Sequence, residues 1–214
     1  MSAQRISKTR RFYKEDFESE FNIRYLDRCE VKDSRLLTWD IYQDKEYTVN
    51  PRLNDRLAEL YGPQVEAGYS APMYIKWVNK VVQYGAYAEK ALKKGDMVAE
   101  YTGILEEDVY FDDDNLYLWD YPTFLYKQEP GKKRRKKITF CVNAEKAGNF
   151  CRAINHSLRK YQNVGTIVLP YNNLWHVVYI AQRDIAKGEQ LLTHYGMAYW
   201  QDRKIVPFPI TPDM

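Results

Sequence analysis

The sequence predicts a mostly β fold with short helices, and three observations predict it. From Met73 onward, short apolar runs recur: Tyr74 to Val78, Val81 to Val82, Met97 to Tyr101, Thr166 to Leu169 and His176 to Ala181. They are rich in Val, Ile and Tyr, side chains that suit a pleated, half-buried surface. Turn signals sit beside them, Lys94-Gly95-Asp96 and Lys187-Gly188-Glu189 among them. Helical periodicity, by contrast, is confined to one clear stretch. Leu53, Leu57 and Leu60 lie at i, i+4 and i+7, and Gly62-Pro63 then predicts a stop.

The chain has 214 residues, enough for one domain of ordinary size with flanking segments. Hydrophobic residues make up 45% and aromatics 15%, so a sizeable core is within reach. Residues 1–71 read as an N-terminal flanking region whose first part, charged and aromatic by turns, packs through its aromatics. Residues 72–200 carry the strand pattern, and 201–214 form a C-terminal tail. Within the main unit, residues 106–140 run acidic, then aromatic, then basic, which predicts an inserted variable segment or long loop rather than a core strand.

Charge and cysteine content exclude several classes. Lys and Arg number 32 against 29 Asp and Glu, a net charge of +3, which does not mark a strongly basic nucleic-acid binder. The exception is local: residues 132–137 are unbroken Lys and Arg. That run reads as a solvated loop, a nuclear localisation signal, or a weak contact with nucleic acid or another acidic partner. Three cysteines, Cys29, Cys141 and Cys151, are too few for a disulfide framework or a Cys-rich zinc centre. No metal is expected, and a reducing compartment is the simpler reading. The basic start lacks the apolar stretch of a secretory signal, and no run approaches the length of a membrane span.

Four segments, in one order, carry a family resemblance. The first is Tyr84-Gly85-Ala86-Tyr87-Ala88, followed by Ala91-Leu92-Lys93-Lys94-Gly95 and by Glu100-Tyr101-Thr102-Gly103. The second is Gly148-Asn149-Phe150-Cys151-Arg152-Ala153-Ile154-Asn155-His156-Ser157. The third is Asn163-Val164, and the fourth runs from Ala181 to Leu191 and ends in Tyr195-Gly196. Together they resemble the SET domain, over roughly residues 72–200. The resemblance implies small, mostly antiparallel sheets around a threaded C-terminal segment. It also implies a protein-lysine N-methyltransferase that takes its methyl group from S-adenosylmethionine and delivers it to a lysine of a histone or another protein.

By the same resemblance, Tyr195 is the catalytic tyrosine whose hydroxyl lies at the transfer site, and Tyr101 lines the lysine channel. Asn155 would hydrogen-bond the amino-acid end of the donor, and His156 would meet its adenine through the backbone. Tyr84 and Gly85 would shape the loop around the methionine portion, and Trp200 would stack on adenine. Arg152 reads as a structural residue paired with a carboxylate. Thr193 stands where the family carries a pocket-sizing aromatic, and its small side chain predicts a di- or trimethylated product.

The sequence departs from the family at Gln83, where a glycine is usual, at Thr193-His194, and in a longer turn over Lys160-Tyr161-Gln162. No Cys cluster follows Cys151, so a C-terminal lid would be built from aromatics. Two other readings stay open. One is a SET fold without activity that serves as a binding module; the other is a nucleic-acid-binding protein working through residues 132–137. Substrate class places the chain in a nucleus or cytoplasm, including the nucleus of a host if a bacterium delivers it.

Overall fold

The computed structural model describes residues 9–109, 115–203 and 206–212. The N-terminal third holds β1 (Arg11–Phe12), α1 (Lys14–Phe21), β2 (Arg24–Tyr25), β3 (Glu30–Val31), α2 (Ser34–Thr38), α3 (Lys45–Val49) and α4 (Pro51–Glu66). Next come β4 (Met73–Trp77), β5 (Tyr84–Ala88), β6 (Met97–Glu100), β7 (Ile104–Glu107), β8 (Leu118–Lys127) and β9 (Lys136–Asn143). The chain continues through β10 (Ala147–Gly148), β11 (Asn155–His156), β12 (Val164–Tyr171), β13 (Leu174–Ala181), β14 (Leu192–Thr193) and α5 (Met197–Arg203).

These strands form small sheets, as expected. One has the order β1-β4-β5, a second β12-β13-β6 and a third β3-β7-β9-β8, while β10 pairs with β2 and β11 with β14. The long hairpins β4–β5, β8–β9 and β12–β13 are antiparallel, and the short pairings β2–β10, β3–β7 and β11–β14 are parallel. Four of the five apolar runs fall on strands β4, β6, β12 and β13. The fifth, Val81-Val82, is a turn instead: the Asn79 carboxamide oxygen accepts both of their backbone N–H groups, and Val81 is exposed. An Asx turn satisfies the backbone locally and outcompetes strand pairing there.

Three expectations need revising. First, α4 does not stop at Gly62-Pro63 but runs on to Glu66. Its buried face carries Asn54, Tyr61, Gly62 and Val65, while Leu53 and Leu60 are 48% and 58% exposed. Tyr61 and Val65 pack with Met97, Leu169 and Val178 of the β12-β13-β6 sheet, and that tertiary burial overrides the stop signal. Gly62 is there for space: a Cβ would lie 2.2 Å from the Tyr171 ring. Second, residues 106–140 are not merely an inserted loop. Tyr121, Ile138, Phe140 and Val142 of the β8–β9 hairpin are core residues, while its tip, the basic run and outward-facing side chains such as Phe124 and Tyr126 stand in solvent. Third, the first 71 residues are woven into the molecule, since β1, β2 and β3 each complete a sheet begun by later strands.

The C-terminal segment returns to the middle of the chain. β14 lies parallel beside β11, with the Ser157 N–H donating to the Thr193 carbonyl. On the other side Ile210 bridges Ser157, and its N–H donates to the His156 carbonyl. Residues 155–157 are therefore held between two segments that follow them in sequence. Among the described residues no helix is long and apolar enough to cross a membrane, and no group of side chains is arranged to hold a metal ion.

Candidate active site

The return of the C-terminal segment brings Tyr195 against the Asn155-His156 segment, and a cavity of about 980 Å³ opens there. Tyr84, Tyr101, Asn155, His156, Tyr195 and Trp200 all reach its wall. Gly85 and Thr193 do not. Gly85 lies behind the wall, where a Cβ would fall 2.3 Å from Gln190 Nε2 and 3.1 Å from Asn155 Nδ2. Its missing side chain makes room for the Asn155 carboxamide, whose Nδ2 donates to the Tyr84 carbonyl at 2.9 Å. Thr193 is buried within β14 beside His156, away from the cavity. The premise for a roomy lysine pocket at that position fails, because parallel pairing with β11 fixes Thr193 in the packed interior.

The tyrosine hydroxyls are held by backbone. Tyr195 donates to the Ile154 carbonyl at 2.7 Å and Tyr101 to the Tyr117 carbonyl at 2.9 Å. Burial pushes both phenols well above their ordinary value, so both stay neutral. The His156 imidazole is pushed down to about 4, first by burial and then by the neighbouring His194. Its Nδ1 accepts the Tyr195 backbone N–H at 3.2 Å, which ties the histidine directly to the segment that carries Tyr195. The His156 carbonyl, expected to face adenine, accepts from Ile210 instead, because the tail adds to that edge as an extra strand segment.

Arg152 also differs from expectation. It pairs with carbonyls rather than with a carboxylate: Nε donates to Ala144 O at 2.9 Å and Nη2 to Glu145 O at 3.3 Å, while its guanidinium lies 3.8 Å from the Tyr117 ring centre. Burial disfavours the charged form, and the ring face and carbonyls offset that cost.

At the other end, the Trp200 ring lies near-parallel to Tyr195 at 5.8 Å and edge-on to His156 at 4.8 Å. The Trp200 indole nitrogen is buried and has no hydrogen-bond partner among the described residues. A flat aromatic shelf with an unpaired N–H donor fits a heteroaromatic group such as adenine. The aromatic C-terminal lid is completed by Val206 and Phe208.

Several wall residues were not singled out in the sequence. Phe17 and Phe21 of α1 come from the flank, Trp119 from β8 and Tyr179 from β13. The flank's aromatic density was visible, but its destination was not. Tyr179 stood inside an apolar strand run, indistinguishable there from a core tyrosine.

The SET domain profile matches residues 83–196. The chain is 28% identical over 158 residues to the histone-lysine N-methyltransferase set-1 of Caenorhabditis elegans, covering 70% of this chain and 54% of that protein. It is 34% identical over 121 residues to the N-lysine methyltransferase KMT5A of Xenopus tropicalis, covering 52% of this chain and 32% of that protein. The chain thus spans about half of the first relative and a third of the second. Its fold is similar to that of ATXR5 crystallised with histone H3.1, with a TM-score of 0.59 at 18% identity, covering 85% of this chain and 84% of that one. With more than half of its length inside the matched region and that region built around the cavity, the chain belongs to the SET domain family.

Proposed function

We propose that the chain is a protein-lysine methyltransferase that uses S-adenosylmethionine, which supplies a methyl group on a sulfonium. The observation that carries this reading is the convergence of Tyr101, Tyr179 and Tyr195 on one cavity, the first two buried, the third half-buried, and all three held neutral. Such a channel desolvates a lysine side chain and lowers its pKa, which favours the neutral amine that attacks a methyl group. The rest is positioning, which is where enzymes of this kind gain most of their rate. Tyr195, fixed by the Ile154 carbonyl, sets one wall of the amine site, and Tyr101 sets another. The Asn155 carboxamide, anchored on Tyr84, presents its oxygen to an ammonium group. His156, kept neutral, adds no positive charge beside a cationic donor. Trp200 provides the aromatic shelf.

A histone is the substrate we favour, since set-1 is named a histone-lysine methyltransferase and ATXR5 was crystallised with a histone. That substrate implies a nuclear address, which residues 132–137 fit. The same run, exposed at the tip of the β8–β9 hairpin, suits a weak auxiliary contact with nucleic acid. The reading as an inactive binding module loses one of its supports, because Gln83 adopts a glycine-like backbone and keeps the loop in shape.

The test is transfer of labelled methyl from S-adenosylmethionine to recombinant core histones. Tyr195→Phe should lower turnover by roughly two orders of magnitude while donor affinity, measured by calorimetry, changes little. Turnover that survives Tyr195→Phe unchanged removes that residue from the step. No transfer by the unaltered chain, to histones or to itself, rejects the enzymatic reading.

A further inference from the structure

The outer half of the β8–β9 hairpin has two faces of different chemistry. Leu125 and Ile138, paired across the strands, turn inward: Ile138 is buried and Leu125 packs on the core. The opposite face carries Phe124 and Tyr126 on β8 and, directly across from them, Thr139 and Lys137 on β9. Phe124 is 39% exposed and Tyr126 59%. Their rings meet edge-on with centroids 5.6 Å apart, and the Lys137 ammonium lies 4.3 Å from the Phe124 ring centre. Neither ring lines the cavity, and the core beneath the hairpin is filled from its other face.

This aromatic face runs directly into the basic run. Between Phe124 and Thr139 stand seven cations, Lys127 and residues 132–137, against one carboxylate, Glu129. Glu129 pairs with Lys132 at 2.6 Å. Lys133, Arg134, Arg135 and Lys136 are exposed and make no ion pair among the described residues. Charge of this density selects a polyanion, and the two rings select its form. The bases of a duplex already stack on one another at about 3.4 Å per step, so they offer no free face to a side chain that stays outside. Side chains two residues apart on a strand lie about 7 Å apart, which suits bases that have come apart along an extended strand. An acidic protein segment would satisfy the cations and leave the rings uncovered.

We propose that this face of the β8–β9 hairpin binds single-stranded nucleic acid, with Phe124 and Tyr126 stacking on bases and residues 132–137 neutralising phosphates. The proposal rests on the reading of that run as an auxiliary nucleic-acid contact and makes no use of the methyl-transfer reading. Stacking supplies the preference for unpaired bases, and the cations supply most of the affinity and its dependence on salt.

The experiment measures fluorescence anisotropy of labelled oligo(U), oligo(dT) and a duplex of equal length with the full chain, at several salt concentrations and without S-adenosylmethionine. At equal salt the single strands should bind about tenfold more tightly than the duplex. Phe124→Ala with Tyr126→Ala should weaken single-strand binding about tenfold and leave duplex binding unchanged. Phe124→Tyr with Tyr126→Phe, which keeps both rings, should retain it. Arg134→Gln with Arg135→Gln should flatten the salt dependence for every probe. Tighter binding of oligo(U) than of oligo(dT) supports the inference with RNA as the source, through its 2′-hydroxyls, and equal binding supports it for either sugar. A duplex bound as tightly as the single strands, or single-strand binding that survives loss of both rings, overturns the inference while leaving the auxiliary contact intact. Displacement of oligo(U) by oligoglutamate of equal length and concentration overturns it in favour of an acidic protein partner. Absence of binding to every probe at low salt overturns the auxiliary contact as well.

Discussion

Gln83 carries a left-handed backbone, with φ of 59°, at the loop position where the family usually has glycine. A side chain in that region costs about 1 kcal/mol. The loop accepts the cost because the Gln83 carbonyl takes the Val78 N–H at 2.7 Å, closing the turn that leads into Tyr84 and Gly85. Gln83→Gly should therefore stabilise the fold by about 1 kcal/mol, read as a higher urea midpoint at unchanged slope; no gain would mean that the side chain returns more than the backbone loses. His156 gives the second residue-scale test. Its value in the fold, about 4, lies below the ordinary 6.5, so between these the unfolded chain takes up a proton that the native chain refuses. Stability from this residue is complete above pH 6.5 and is lost as the pH falls towards 4. Urea midpoints measured from pH 7 to pH 4 should decline less steeply in His156→Gln than in the unaltered chain, and parallel curves would assign the acid sensitivity elsewhere. Tyr195, Tyr101 and Asn155 were legible as site candidates because each sits in an ordered motif, and Trp200 because it closely follows the last of them. Thr193 was misplaced because a motif fixes position along the chain, whereas the direction of a side chain depends on which strand lies alongside.

Elements meet through buried polar pairs as well as apolar contacts. Glu100, at the end of β6 and 3% exposed, pairs with His176 of β13 at 2.7 Å, and His176 Nε2 donates to the Tyr171 carbonyl at 3.1 Å. Since a carbonyl only accepts, Nε2 must carry a proton, and one more is shared between Nδ1 and the carboxylate. This pair pins β6 to β13 next to Tyr101 and Tyr179. Removing one partner strands the other in the interior, so His176→Ala should cost about 3–5 kcal/mol, whereas the double change Glu100→Met, His176→Leu should cost less. Thermal or urea unfolding of the three proteins decides it: a double variant as weak as the single one would show that packing, not the stranded charge, dominates. The same elements show the limit of periodicity. β13 and β6 were read correctly from their Val, Ile and Tyr content, while the extra residue of β6, Val98, which breaks their register, leaves no trace in the pattern of residues.

At the scale of the molecule, the N-terminal flank is a working part of the fold. It supplies β1, β2 and β3 to three sheets, Phe12, Phe17 and Leu36 to the core, and Phe17 and Phe21 to the cavity wall. Edge-on ring contacts link Phe12 and Phe21 to Tyr84, so the flank also braces the loop beside the site. A chain beginning at residue 72 would keep every motif of the family yet expose that core and three unpaired sheet edges. It should show no cooperative thermal transition and should bind a hydrophobic dye, in contrast to the full chain. Cooperative unfolding of the shortened chain would show that the flank is dispensable.

The sequence by itself determined the mostly β class, the family and six of the cavity's wall residues, because those follow from local content: which side chains suit a strand, and which short motifs occur in order. Only the tertiary structure decided where those pieces meet. Parallel pairing of β14 with β11 buries Thr193, and docking on the sheet carries α4 past Gly62-Pro63. Each of these depends on a partner far away in the chain, and a partner's position is a property of the packed molecule that no window of neighbouring residues contains.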